Sequence, residues 1–363
     1  MNLSLLELME QNATNSSGPE TEQSLPEPTS LDPFGYLLDA VAILSWATLS
    51  AGTVGIVGNV LSLIVYVKLG FANTINISYV ALAVSDLGSC ITSMTATFFI
   101  SPAMKALAQH YRLQLDQAHL GNFIGYWPHV AFSRTTAFFT AWISFERCMC
   151  VLFPSRVKLF ITRRVTKMVV SAIFVLGCSP LVLAYINLES GWSFDPETNI
   201  TTVTLFFAFE ERPDPFFAAL ITIYCGIYPV LSWTTVTVCT TFLIIKLRES
   251  AKWREANASV SFNASMKSGV NNRNENRTEN RITKTVVMIA CMFIICSFPD
   301  SFTNIGVTVW RKKYSLYGPL RSLVVFVAVI AVLLSLINSS SNIIFYTITG
   351  ARFRSTLKKM FVK

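Results

Sequence analysis

The chain has 363 residues, 52% hydrophobic and only 14% charged, with 27 Phe; this is too apolar and too sparsely charged for an ordinary water-soluble domain. Its formal charge of +8 does not indicate a nucleic-acid partner, because Lys and Arg gather between apolar runs instead of forming one basic face. Enzymatic constellations are absent as well: His110, His119 and His129 lack metal-site spacing, no glycine loop suits a phosphate, and the cysteines offer no zinc site.

Residues 1–40 open with MNLSLLELME, which lacks the basic start of a secretory signal. The segment carries Glu7, Glu10, Glu20, Glu22, Glu27, Asp32 and Asp39 with no Lys or Arg, and glycosylation sequons at Asn2, Asn12 and Asn15. It is expected to be a disordered, glycosylated extracellular tail, with the first apolar run as an uncleaved signal-anchor.

Apolar runs then fall at 41–67, 76–100, 122–151, 166–188, 216–246, 284–310 and 322–348. Each can cross ~30 Å of hydrocarbon as a helix. The runs are continuous and not alternating, which favours helices over a barrel. The expected fold is all-α: a seven-transmembrane helix bundle over 41–348, then an amphipathic helix and tail over 349–363. Loop charge orients it. With the N-terminus outside, inner segments hold 21 of the 29 basic residues and 5 of the 21 acidic ones. Arg311, Lys312 and Lys313, in the third outer loop, are the local exception.

Several polar residues sit inside these runs. Asn59 lies in the first, Asp86 in the second, and Thr136 in the third; Asn338, Ser339 and Asn342 share that depth in the seventh. A carboxylate at such depth needs a partner, a proton or a cation. These oxygens would suit sodium at Asp86, or form a hydrogen-bond network that fixes helix packing. The third run ends in Glu146-Arg147, either a latch or a flanking charge. Pro229 and Pro299 interrupt the fifth and sixth runs and favour kinks.

Between the fourth and fifth runs, NITTVTLFFAF is rich in β-branched and aromatic residues and reads as a strand or hairpin, with a further sequon at Asn199. Residues 247–282, containing NNRNENRTENR, are expected to be a disordered third cytoplasmic loop. After Gly350, Phe353, Leu357 and Phe361 recur at i, i+4 and i+8, which predicts a helix lying on the inner leaflet.

Taken together, Asn59, Asp86, Glu146-Arg147, Pro229, Phe293-x-x-Cys296-x-x-Pro299 and Asn342-x-x-x-Tyr346 resemble, in order and over about residues 40–361, the rhodopsin-like (class A) G-protein-coupled receptors. The stretch ISFERCMCVLFPSRVKLFITRRVT is similar to invertebrate chemosensory and peptide receptors, particularly a mollusc-type group. The resemblance implies a multi-pass plasma-membrane receptor that converts extracellular binding of a peptide or small molecule into heterotrimeric G-protein activation. Arrestin and a receptor kinase follow as partners, with the lipid bilayer as solvent. It also implies that Arg147 pairs with Glu146 and with Glu279 at the base of the sixth helix, and that Tyr346 swings inward on activation. No cofactor is implied beyond an allosteric sodium ion.

Departures from the family pattern are Cys148 after the arginine, Ile343 for the proline after Asn342, Ser297 for a tryptophan, and Thr237 for a tyrosine. Asn122 stands where the family has a disulfide cysteine, and residues 189–215 contain none, so no disulfide is expected. These departures keep open a seven-helix ligand-binding protein without coupling; a transporter is the more distant alternative.

Ligand-contact candidates are Trp127, His129, Ser133, Arg134, Tyr224, Tyr228, Asp300, Asn304 and Arg321. His129 replaces the aspartate of the family's aminergic members and argues against a monoamine. Arg134 would meet a ligand carboxylate or pair with Asp300. The acidic second outer loop would attract a cation, whereas Arg134 points toward an anion.

Overall fold

The computed structural model describes residues 37–154, 156–195, 200–208, 214–258, 269–309 and 320–361. The sequons at Asn2, Asn12, Asn15 and Asn199 lie outside the described residues, as do Arg311, Lys312, Lys313 and residues 259–268 of the 247–282 segment. The side chains of Glu279, Asn304 and Arg321 lie outside them too, although each residue belongs to a described helix.

Seven long helices follow the apolar runs: Leu37–Leu69, Thr74–Ile100, Trp127–Leu152, Arg163–Tyr185, Tyr228–Ala258, Gly269–Val309 and Arg321–Thr349, called here the first to seventh spans. Six contain segments long and apolar enough to cross a membrane. The third is not among these six, because it carries His129, Arg134, Glu146 and Arg147. It packs instead against the second, fourth, fifth and sixth spans, placing those groups at the centre of the bundle. The first span rests on the second and seventh, and the sixth on the fifth and seventh. Large apolar side chains such as Trp46, Val175, Val182, Ile295 and Phe298 stay exposed on the outer faces, as a lipid-facing surface requires.

A wide turn precedes the third span and another joins the fifth span to the helix Pro215–Thr222 before it. Residues Asn122–Tyr126 and Ile223–Ile227 are π-helical, with Trp127 N–H donating to the Asn122 carbonyl and Tyr228 N–H to the Ile223 carbonyl. One residue separates each turn from a proline, Pro128 or Pro229. A proline has no N–H, and its ring collides with the carbonyl four residues earlier; widening the turn moves that carbonyl aside. The kink expected at Pro229 thus takes the form of a π turn. In the first of these turns Gly125 allows the third span to press on the second, since a Cβ there would lie 2.4 Å from the Ala96 nitrogen.

At the Arg147 end, Tyr66, Tyr79, Leu82, Phe139, Ile143, Leu243, Ile289, Tyr346 and Phe353 form the main buried cluster. Phe353 belongs to the helix Ala351–Phe361. Its ring lies 5.3 Å from Tyr66 and 5.5 Å from Tyr346, while Arg354 donates to the Thr347 and Ile348 carbonyls, both at 2.7 Å. A buried aromatic and a cation on a helix C-terminus therefore hold this helix against the bundle. Phe361 stays exposed, as a residue facing lipid would be.

At the opposite end, β1 (Leu188–Asp195) and β2 (Ile200–Phe207) form an antiparallel hairpin with Leu188 opposite Phe207. Val203 N–H donates to the Gln114 carbonyl at 2.9 Å, and Asp116 N–H to the Val203 carbonyl at 3.0 Å. Phe207 is fully buried among Phe123, Trp127 and Tyr185, and the Tyr185 hydroxyl donates to the Phe123 carbonyl. All eight cysteines are free thiols, so an aromatic plug and two backbone hydrogen bonds hold the hairpin here.

The fifth span runs on to Ala258 and the sixth starts at Gly269. Helix therefore extends into the 247–282 segment from both sides, and residues 259–268 lie outside the described residues.

Candidate functional site

Between the third, fifth, sixth and seventh spans lies a partly open cavity. Its wall includes His129, Ser133 and Arg134 from the third span, Phe293, Cys296 and Asp300 from the sixth, and Asn338 from the seventh. His129 Nδ1 lies 3.0 Å from the Ser89 hydroxyl of the second span. Arg134 Nη1 donates to Asp300 Oδ2 at 2.6 Å, so the two candidates meet each other inside the cavity. Trp127, Tyr224 and Tyr228 stand apart from it. Trp127 packs on Phe207, the Tyr224 hydroxyl donates to the Gly177 carbonyl at 2.8 Å, and Tyr228 rests edge-on against Phe138.

The cavity floor touches a second polar centre. Thr136 lines the cavity and donates to Asp86 Oδ1 at 2.9 Å. Ser339 also donates to Asp86 Oδ1 at 2.9 Å, and Asn342 Nδ2 to Oδ2 at 2.8 Å. Asn59 joins one step removed, its Nδ2 donating to the Ser339 carbonyl at 3.2 Å. Asn338 does not reach Asp86; it lines the cavity, and its side-chain oxygen, like that of Asn342, is buried without a partner. Asp86 thus ties the second, third and seventh spans together directly beneath the cavity.

The third centre surrounds Glu146, which is fully buried. Its tightest partner lies on the second span: Thr74 donates to Oε1 at 2.6 Å, and Ser78 to Oε2 at 3.2 Å. Arg147 Nη2 approaches Oε1 only to 3.4 Å, and its Nε has no partner. The acid is therefore anchored mainly to the second span, while the arginine is held loosely. Tyr346 is buried with an unpartnered hydroxyl, packed 4.9 Å from Tyr79 and 5.0 Å from Tyr66.

Phe293 packs against Ala137, Ala141, Val236 and Ala290 while facing the cavity. Ser297 donates back to the Phe293 carbonyl at 2.6 Å and also lines the cavity. Trp233 of the fifth span donates to the Ile294 carbonyl at 3.4 Å, a cross-helix bond five residues ahead of Pro299. Sequence reasoning missed Thr74, Ser78, Ser85, Ser89 and Trp233. Ser78, Ser85 and Ser89 fall seven and four residues apart, so one stripe of the second span faces the third. That spacing was the available signal.

Outside the spans, Asp116 caps the helix Gln117–Gly121, accepting from Ala118 and His119 N–H at 2.9 and 3.0 Å. The His119 ring, 2.9 Å from its other oxygen, is the main reason its carboxyl is held below the usual range.

The 7 transmembrane receptor (rhodopsin family) profile matches residues 58–346, enclosing every centre described above. The chain is 24% identical over 355 residues to N-formyl peptide receptor 3 of Gorilla gorilla gorilla, covering 95% of this chain and 89% of the relative. It is 25% identical to the Pan troglodytes protein of that name over 365 residues, with the same coverages. The Homo sapiens protein is 24% identical over 365 residues, covering 95% and 88%. These primate relatives do not support the narrower mollusc-type resemblance. The chain belongs to the rhodopsin family of seven-transmembrane receptors, which are not enzymes.

Proposed function

We propose that this receptor sits in the plasma membrane with its N-terminus outside and activates a heterotrimeric G protein when a peptide or small molecule enters the cavity. Support comes above all from Thr136, one side chain that lines the cavity and also holds Asp86. Movement of the third span around a ligand would alter the Asp86 centre through Thr136, which lies eleven residues, or about 16 Å, from Arg147 along the same helix. Both end states must pre-exist within a few kcal/mol for a ligand to select one. The packed Tyr346 and the anchored Glu146 fit the resting state. In the active state the sixth span swings out about Pro299, Arg147 leaves Glu146, and the opened crevice takes the G protein. Arrestin and a receptor kinase would then act on the same face. The relatives' printed names favour a peptide among the ligand classes, and the acidic outer loops would steer a cationic group toward the cavity.

Sodium fits the Asp86 centre by donor chemistry. Among the described residues no three His, Cys, Asp or Glu cluster, so an ion there would rely on one carboxylate with neutral oxygens. Thr136, Ser339 and the unpartnered Asn342 oxygen are of that kind. Bound there, sodium would supply positive charge that favours the ionised carboxylate.

Arg147→Ala tests the coupling reading in cells carrying equal surface receptor. The second-messenger response should be lost while ligand binding stays within about threefold of wild type. Normal signalling by this variant would sink the proposal, and ligand binding by the wild type with no second messenger would favour a seven-helix binder that does not couple.

A further inference from the structure

We infer that the cavity selects a zwitterionic ligand group, with a carboxylate on Arg134 and a cationic nitrogen on Asp300, and that this ligand replaces the ion pair joining the third and sixth spans. The inference rests on the reading of the cavity as the ligand site. Arg134 and Asp300 are the only carboxylate and guanidinium in the described cavity wall; around them stand polar groups, His129, Ser133, Ser297 and Asn338 among them, and apolar ones. The wall is therefore neutral overall but strongly dipolar.

The pair is close yet incompletely satisfied. One guanidinium nitrogen meets one carboxylate oxygen at 2.6 Å, while Arg134 Nε, also buried, has no partner. The Arg134 side chain is 6% exposed and that of Asp300 34%. A guanidinium fork can accept a carboxylate through two parallel hydrogen bonds, so a ligand carboxylate can offer Arg134 more than Asp300 now does.

Charge decides what else the ligand must carry. A purely anionic ligand would take Arg134 and leave its own charge beside the displaced Asp300 carboxylate. A purely cationic one would take Asp300 and strand a buried guanidinium, which is more costly still. A ligand with both charges close together gives each of the two side chains an opposite charge. This resolves the opposed cues of an acidic outer face and a buried arginine: the first attracts the ammonium, and the second fixes the carboxylate. Asp300 directly follows Pro299, so breaking its bond to Arg134 removes a tie between the third and sixth spans beside the kink. Free amino acids and chain ends with a nearby basic group share this chemistry.

Purified full-length receptor provides the test, through thermal-shift titration with the twenty common free amino acids, their amides, their N-acetyl forms, and short peptides ending in a basic residue with either an acid or an amide terminus. At least one free zwitterion should raise Tm, with its amide and N-acetyl form at least about tenfold weaker. Response confined to the acid-terminated peptides would identify a chain end as the source, and response to the amino acids a free metabolite. Arg134→Gln should weaken the zwitterion about a hundredfold. Asp300→Asn, which keeps the shape of the wall, should erase the preference for the free over the N-acetylated form. Failure of every zwitterion to shift Tm overturns the inference, as does an unchanged preference in Asp300→Asn. The readout needs no G protein, so a receptor that binds zwitterions but never signals contradicts only the coupling reading. One that signals to an amine while no zwitterion binds contradicts only this inference.

Discussion

Asp86 is the residue on which three spans depend. Its two oxygens take hydrogen bonds from Thr136, Ser339 and Asn342, and all three donors are buried. Asp86→Ala leaves all three donors unsatisfied, at a cost of about 2–5 kcal/mol in a buried setting. Asp86→Asn keeps one acceptor oxygen in place and should cost clearly less. Thermal unfolding of the two variants decides; equal losses would mean that the hub is not what holds the spans together. A carboxylate in an apolar run announces itself, so Asp86 could be read from the chain. Its neighbours could only be guessed at by depth: Asn59 reaches the Ser339 carbonyl and not the acid, and Asn338 turns to the cavity. Glu146 was legible for the same reason as Asp86. Thr74, its shortest contact, was not, since a threonine at a helix start has many duller uses.

Among elements, the helices were legible wherever lipid requires them. The fourth span, expected at 166–188, is Arg163–Tyr185, and the seventh, expected at 322–348, is Arg321–Thr349. Hydropathy marks only the part of a helix that meets hydrocarbon, so the polar beginning of the sixth span at Gly269, far ahead of residue 284, left no such mark. The π turns were hidden because a proline predicts disruption without saying whether the chain bends or widens. The hairpin was legible from its β-branched run, but its anchorage was not, because Phe207 and Phe123 are 84 residues apart. Phe207→Ala should remove the plug. A loss of about 3–5 kcal/mol is expected for a fully buried phenylalanine, with faster hydrogen exchange at Val203 and Asp116, whose amides tie the hairpin to the preceding loop. Unchanged exchange there would show that the two backbone bonds suffice alone.

At the scale of the whole molecule, the seven spans are unequal. Six contain segments that pass for membrane helices by length and composition; the third, which carries Arg134, Glu146 and Arg147, does not. A centrally placed arginine costs about 2.5–3.5 kcal/mol when a helix partitions from the insertion machinery into lipid, and the third span has further polar groups at its end. In the finished bundle these meet Thr74 and Ser78 from the second span and Asp300 from the sixth. During synthesis the second span is already present, whereas the sixth is still to be made. Glycosylation mapping in microsomes should therefore find that residues 117–152 alone insert poorly, and that the second span raises insertion severalfold. Insertion of the isolated segment as complete as that of the fourth span would refute this. The helix that carries the proposed switch thus enters the bilayer on the credit of its neighbours, and its arginine must wait for a partner not yet translated.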